Sequence, residues 1–132
     1  MDDKFMIFVV DDEPIFLEML KDELAEDLRL DVHAYSSGEE CLDNIYLHPD
    51  VVILDHNLSK SNPDAKDGME VLEEIQRQIP DVVIIILTGQ IYPHVTFDYI
   101  MEKDVYKYIV KGETAFDDLK EAIDIIIQKK SG

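Results

Sequence analysis

Three short apolar runs constrain this chain more than any other feature: Phe5-Met6-Ile7-Phe8-Val9-Val10, Val51-Val52-Ile53-Leu54 and Val82-Val83-Ile84-Ile85-Ile86-Leu87. Each is continuous and rich in β-branched residues. A strand with one face in water alternates apolar and polar residues, whereas a strand covered on both faces does not. The runs therefore predict central strands of a parallel sheet. Two further segments do alternate, Leu30-Asp31-Val32-His33-Ala34-Tyr35 and Val105-Tyr106-Lys107-Tyr108-Ile109-Val110. They predict the two edges.

Helical patterns fall between the strands. Pro14 opens the first, where a missing amide is tolerated, and Leu17, Leu20, Leu24 and Leu28 follow at helical spacing. Ser37 with Glu40 fits a capping box for a second helix, which runs to about His48 and stops before Pro49. Met69, Leu72, Ile75 and Ile79 form a third stripe, closed by Pro80. Val95, Phe97, Ile100 and Met101 give a blurred fourth face between His94 and Lys103, and Thr114 caps a fifth helix carrying Phe116, Leu119, Ile123 and Ile126. Strand and helix thus alternate five times, which implies right-handed crossovers and a parallel sheet with helices on both faces. A closed eight-unit barrel needs roughly 250 residues, and this chain has 132, so the sheet is open. No linker or composition break divides it, and the expectation is one domain over residues 1–132 with its core at about 5–129.

Charge narrows the partners. Thirty acidic residues against twelve Lys and Arg give a net charge of −18. Such a surface repels nucleic-acid phosphates and anionic headgroups, which argues against direct nucleic-acid or membrane binding, and attracts metal cations and basic partner surfaces. Cys41 is the single cysteine, so an internal disulfide or a multi-cysteine metal site is excluded, and its helical position predicts a packed small hydrophobe. Met1-Asp2-Asp3-Lys4 leads into only six apolar residues, too few for a signal peptide or a membrane span, so a cytoplasmic location is expected.

In open α/β sheets, sites form at the carboxyl ends of the strands. After the first strand come Asp11, Asp12 and Glu13; after the third, Asp55; after the fourth, Thr88 and Gly89; after the fifth, Lys111 and Gly112. Carboxylates suit Mg²⁺, which takes one or two of them together with water and phosphate oxygens. A further carboxylate beside the metal can attack phosphorus, with Lys111 and Thr88 matching the phosphoryl oxygens. Gly89 allows the backbone close to the added group.

In these residues the chain resembles the receiver domain of two-component response regulators. The resemblance rests on the Asp11-Asp12-Glu13 triplet, Asp55 at a strand end, Thr88-Gly89, Lys111, Tyr108 three residues before it, and the Asp67-Gly68-Met69 turn. It implies a flavodoxin-like strand order 2-1-3-4-5, Mg²⁺ as cofactor and Asp55 as phosphoacceptor, served by a sensor histidine kinase or a histidine phosphotransfer protein. It further implies that Asp12 ligates the metal directly, that Asp11 acts largely through water, and that the backbone carbonyl of Asn57 joins them. Lys111 would pair with the phosphoryl, or beforehand with Asp55. Thr88 and Tyr108 would act as the switch, while Asn57 and Gln90 would tune phosphoryl lifetime. The recipient would be a downstream protein, a removed output domain or a phosphorylation-dependent dimer, reached through the face of the fourth helix, fifth strand and fifth helix. Such a chain is no enzyme beyond its own phosphorylation and dephosphorylation.

Two features depart from the family pattern. The step from Asp55 to Gly68 is long, so Leu58–Asp67 holds an insertion whose composition reads as an exposed loop. Gly112 stands where receivers typically carry a cis-proline, and a Lys111-Gly112 bond is expected trans. Three other readings are weaker. A phosphatase of the haloacid dehalogenase type needs a second acid two residues beyond Asp55, where Asn57 stands. Nucleotide binding needs a glycine loop after the first strand. An unphosphorylated docking module, a pseudo-receiver, would have no need of the full set of groups. His33, His48, His56 and His94 show no helical metal-ligand spacing; His56, beside Asp55, is expected to be a surface histidine, with modulation of access as the weaker alternative.

Overall fold

The computed structural model describes residues 4–58, 67–89 and 103–131. Five strands, β1 (Phe5–Val10), β2 (Leu30–Tyr35), β3 (Val51–Asp55), β4 (Val83–Thr88) and β5 (Lys107–Val110), form one sheet in the order β2-β1-β3-β4-β5. Every neighbouring pair is parallel. The continuous runs lie in the middle and the alternating ones at the edges, as their patterns predict.

Alternate residues of each central strand serve opposite faces. Phe8, Val10, Val52, Leu54, Ile84 and Ile86 join a core under α2 (Gly38–Asp43) and α3 (Gly68–Gln78). Ile7, Val9, Val51, Ile53, Ile85 and Leu87 join a second core under α1 (Pro14–Ala25) and the C-terminal helix (Ala115–Ser131). Both faces exclude water, so hydrophobic burial stabilises the sheet from two sides.

The helix boundaries depart from the sequence reading in three places. Leu20 and Leu24 are buried, but Leu28 is 83% exposed. The helix ends at Ala25, and the Asp27 carboxylate accepts from the Arg29 amide at 3.0 Å, a tight turn that carries Leu28 off the helical face. The second helix stops at Asp43 and continues as a 3₁₀ turn, Ile45–Leu47, with His48 left-handed at φ 57°. Its start is as expected on one side only. The Glu40 amide donates to the Ser37 hydroxyl at 3.1 Å, while the Glu40 carboxylate takes the Ser36 amide. Ahead of the C-terminal helix, the hydroxyl of Thr114 donates to the Asp118 carboxylate. The fourth helix expected at 94–103 lies outside the described residues except for Lys103, as does the insertion except for Leu58 and Asp67. Cys41 is fully buried and free, and burial pushes its thiol up to about 12.

The start of α3 places the site most tightly. Asp67 and Glu70 make a full capping box. A Cβ on Gly68 would lie 2.7 Å from the Asp55 carbonyl oxygen and 2.8 Å from that of His56. Only a residue without a side chain lets the helix end rest on the strand end that carries Asp55. Gly68→Ala is therefore expected to cost about 1–3 kcal/mol by overpacking against backbone that cannot yield. Urea denaturation against wild type measures it.

Candidate functional site

Parallel strands all point one way, so the residues that follow them gather along one edge. Asp11 follows β1, Asp55 ends β3, and these two strands are neighbours. Thr88 ends β4 beside them, and Lys111 follows β5. Asp11, Asp55 and Thr88 are all buried. Asp12 is half-buried, and carboxylate oxygens of Asp11, Asp12 and Asp55 all lie within 4.8 Å of one another.

Lys111 holds this cluster together. Its Nζ lies 2.8 Å from Asp11 Oδ2, 3.2 Å from Glu13 Oε1 and 3.7 Å from Asp55 Oδ1. The expected Lys111–Asp55 pair is thus the longest of the three, and the tightest contact is to Asp11. Backbone amides add to the set: Glu13 N donates to Asp11 Oδ1 at 2.9 Å, and Asn57 N donates to Asp55 Oδ1 at 3.2 Å. The base of Lys111 is tied down by its own amide, which donates to the Thr88 carbonyl at 2.7 Å.

One cation does not balance three carboxylates in so small a space. Burial raises the Asp55 pKa to about 7, with repulsion from Asp11 adding to it and Lys111 opposing it. Burial likewise raises Asp11, against the hydrogen bond from Lys111. For Lys111, burial pulls the pKa down, but its hydrogen bond to Asp11 and the neighbouring charges outweigh that and raise it. Asp55 Oδ2 is buried with no hydrogen-bond partner among the described residues. An orphaned anionic oxygen beside two more carboxylates is the donor set a hard divalent cation takes, so the residues present fit Mg²⁺.

The other expected residues are placed as follows. Asn57 is exposed just beyond Asp55. Tyr108 is half-buried on β5 and packs against the α2–α3 core, with its hydroxyl oxygen buried. Gln90 lies outside the described residues. Gly89 and Gly112 face open space, where a Cβ would meet nothing within 4 Å, and no described peptide bond is cis. His56 is half-buried, with its pKa lowered by burial against the charge of Asp67. His33 pairs with Asp31 at 3.2 Å, and His94 lies outside the described residues. Sequence reasoning missed Phe16, whose ring centroid is 4.5 Å from Lys111 Nζ. Its only signal was its position in the first turn after the acidic triplet.

The response regulator receiver domain model matches residues 7–124. The chain belongs to that family. A response regulator protein of Thermotoga maritima, solved in complex with Mg²⁺–BeF, is 36% identical over 92% of this chain and 97% of its own, with a TM-score of 0.75. The signal receiver domain of a LuxO repressor protein from Vibrio parahaemolyticus is 21% identical over 96% of this chain and 92% of its own (TM-score 0.82). A CheY-like receiver domain from Methanospirillum hungatei is 24% identical over 98% of this chain and all of its own (TM-score 0.80). Both share the fold. Among curated proteins, none matches. As a receiver domain the chain is a module of two-component signalling and not an enzyme of the usual kind, and among the described residues no helix is long and apolar enough to cross a membrane.

The buried acids of this receiver domain carry a stability signature. Asp55 has a folded pKa of about 7, above its ordinary value of 3.8. Its ionisation therefore favours the unfolded chain, and stability present at low pH is lost as pH rises from about 4 to about 7. Asp55→Asn should be more stable than wild type in chelator, by on the order of 2 kcal/mol above pH 7. The gap should shrink toward pH 4 and also on adding Mg²⁺. Urea titrations across that pH range measure it.

Proposed function

We propose that this receiver domain is a phosphorylation switch in which Asp55 accepts a phosphoryl group from a phosphohistidine of a sensor histidine kinase or a histidine phosphotransfer protein. The observation that carries the reading is the state of Asp55 itself. It is a buried carboxylate at a central strand end, with one oxygen lacking a hydrogen bond and a lysine and two further carboxylates beside it.

In the reaction an Asp55 oxygen attacks phosphorus and forms the new O–P bond. The P–N bond to the donor imidazole breaks, its electron pair returns to the nitrogen, and that nitrogen takes a proton from solvent. Asp55 becomes an acyl phosphate. Lys111, close to Asp55 already, pairs with the phosphoryl oxygens, and the Thr88 hydroxyl donates to one of them. Mg²⁺ would be held by Asp12 directly, with Asp55 and the Asn57 carbonyl, and by Asp11 largely through water; when bound it neutralises charge on the transferred group. The relative solved with Mg²⁺–BeF supports this choice of cation.

On this reading Thr88 moves toward the phosphoryl and Tyr108 turns inward behind it. The surface around β5 and the C-terminal helix then changes its affinity for a downstream protein, an output domain or a second phosphorylated copy. Asn57 and Gln90 flank the phosphoryl and tune how long it survives. The whole cycle runs in the cytoplasm. A docking module that is never phosphorylated would not require the buried acids, and no observation favours it.

Incubation with Mg²⁺ and a small phosphodonor, followed by intact mass, tests the proposal. One phosphoryl group should be gained, and none in Asp55→Asn or in chelator. Lys111→Met should slow the gain about 10- to 100-fold. Absence of any metal-dependent gain in the wild type overturns the switch, and steady release of phosphate from varied organic esters would indicate a hydrolase instead.

A further inference from the structure

The tip of Lys111 touches three carboxylates and one aromatic ring: Asp11, Glu13, Asp55 and Phe16. These contacts differ in what competes for them. A divalent cation in the acidic cluster draws on Asp11 and Asp55. Glu13 is 55% exposed, so water and salt screen its pull. The face of Phe16 is an attractive surface for an ammonium that neither the cation nor the phosphoryl claims.

Phe16 is itself held. It lies in the first turns of α1, half-buried, with the Phe116 ring 5.8 Å away at 36°. Phe116 is the second residue of the C-terminal helix, which begins just beyond the Lys111 loop. The ring pair therefore joins the helix after Asp12 to the helix after Lys111. That link matters because Gly112 gives the loop no side chain and no fixed φ. The backbone bond from Lys111 to Thr88 anchors only the base of a long flexible stem.

We propose that Phe16 is a positioning residue: its ring, backed by Phe116, keeps the Lys111 ammonium at the mouth of the acidic site when its carboxylate partners turn to the metal and the phosphoryl. This rests on the reading of Asp55 as phosphoacceptor. Phe16 neither touches the transferred group nor moves a proton. It sets where the ammonium waits.

The test is the rate of phosphoryl gain at saturating Mg²⁺ with a small phosphodonor, in a series at position 16. Phe16→Leu should be about 3- to 30-fold slower, and Phe16→Trp should retain the rate. Fluorinated phenylalanines at the same position keep the shape of the ring but weaken its negative face. They should slow the reaction stepwise with fluorine number while the thermal midpoint holds, which a purely packing role would not do. Independently, the ε-methylene protons of Lys111 should show an upfield ring-current shift in NMR spectra, abolished in Phe16→Leu and kept at saturating Mg²⁺. A shift that is absent or collapses on adding Mg²⁺ overturns the proposal, as does a rate indifferent to fluorination in a protein that is phosphorylated. A wild type that gains no phosphoryl overturns the phosphoacceptor reading and this role with it.

Discussion

Two carboxylates, Asp11 and Asp55, are buried side by side at the ends of adjacent central strands, with one lysine shared between them. A fold under selection for stability alone has no reason to do this. Desolvation penalises each charge, their mutual repulsion adds to it, and Lys111 offsets only part. The two apolar cores, one on each face of the sheet, are what make the arrangement affordable. They fix β1 and β3 in register, so the acids cannot move apart to relieve the strain. The site is therefore an electrostatic deficit of positive charge held in place by hydrophobic packing. A divalent cation held by the cluster would supply the missing positive charge.

The same packing explains why so much was legible in the sequence. A strand covered on both faces must be apolar at every position, so Val51–Asp55 and Val83–Thr88 announce themselves, and the first polar residue after each run falls at the sheet edge. Asp11, Asp55 and Thr88 were readable for that reason, and Lys111 only from its place after the alternating fifth strand. Leu28 was misread because helical spacing continued in the sequence past the point where the Asp27–Arg29 turn ends the helix. The order of Lys111's contacts was not readable either. Spacing brings an ammonium to an edge, but only three-dimensional geometry sets 2.8 Å to Asp11 against 3.7 Å to Asp55. Nor could the need for Gly68 be seen, since it arises from the Asp55 and His56 carbonyls thirteen and twelve positions earlier in the chain.

The glycine at 112 shifts the burden of positioning. A proline there would stiffen the loop through its own ring. Here the loop is tied by non-covalent contacts at its two ends: the Lys111 amide on the Thr88 carbonyl, and the aromatic pair of Phe16 and Phe116. Both ties run to elements that carry other groups of the site. Thr88 closes β4, and Phe16 lies in the first turn of α1, four residues after Asp12. The acidic cluster, the hydroxyl and the ammonium are thus coupled through short contacts rather than through a rigid loop.

That coupling gives a physical route outward. Thr88 faces Val110 across the β4–β5 ladder, and Ile86 faces Tyr108 two residues back along the same pair. On the proposed function, a phosphoryl group on Asp55 that engages Lys111 and Thr88 would act on both strands at once. Tyr108, half-buried with its hydroxyl oxygen inside, is the aromatic side chain of β5 that the proposed switch would re-seat. Re-seating changes affinity elsewhere only if two positions of the ring differ in free energy by an amount the phosphoryl contacts can reverse. An edge strand meets that condition better than a central one. Among the described strands β5 has a partner on one side only, so its side chains can repack without disturbing the β1–β3 register that keeps the acids together.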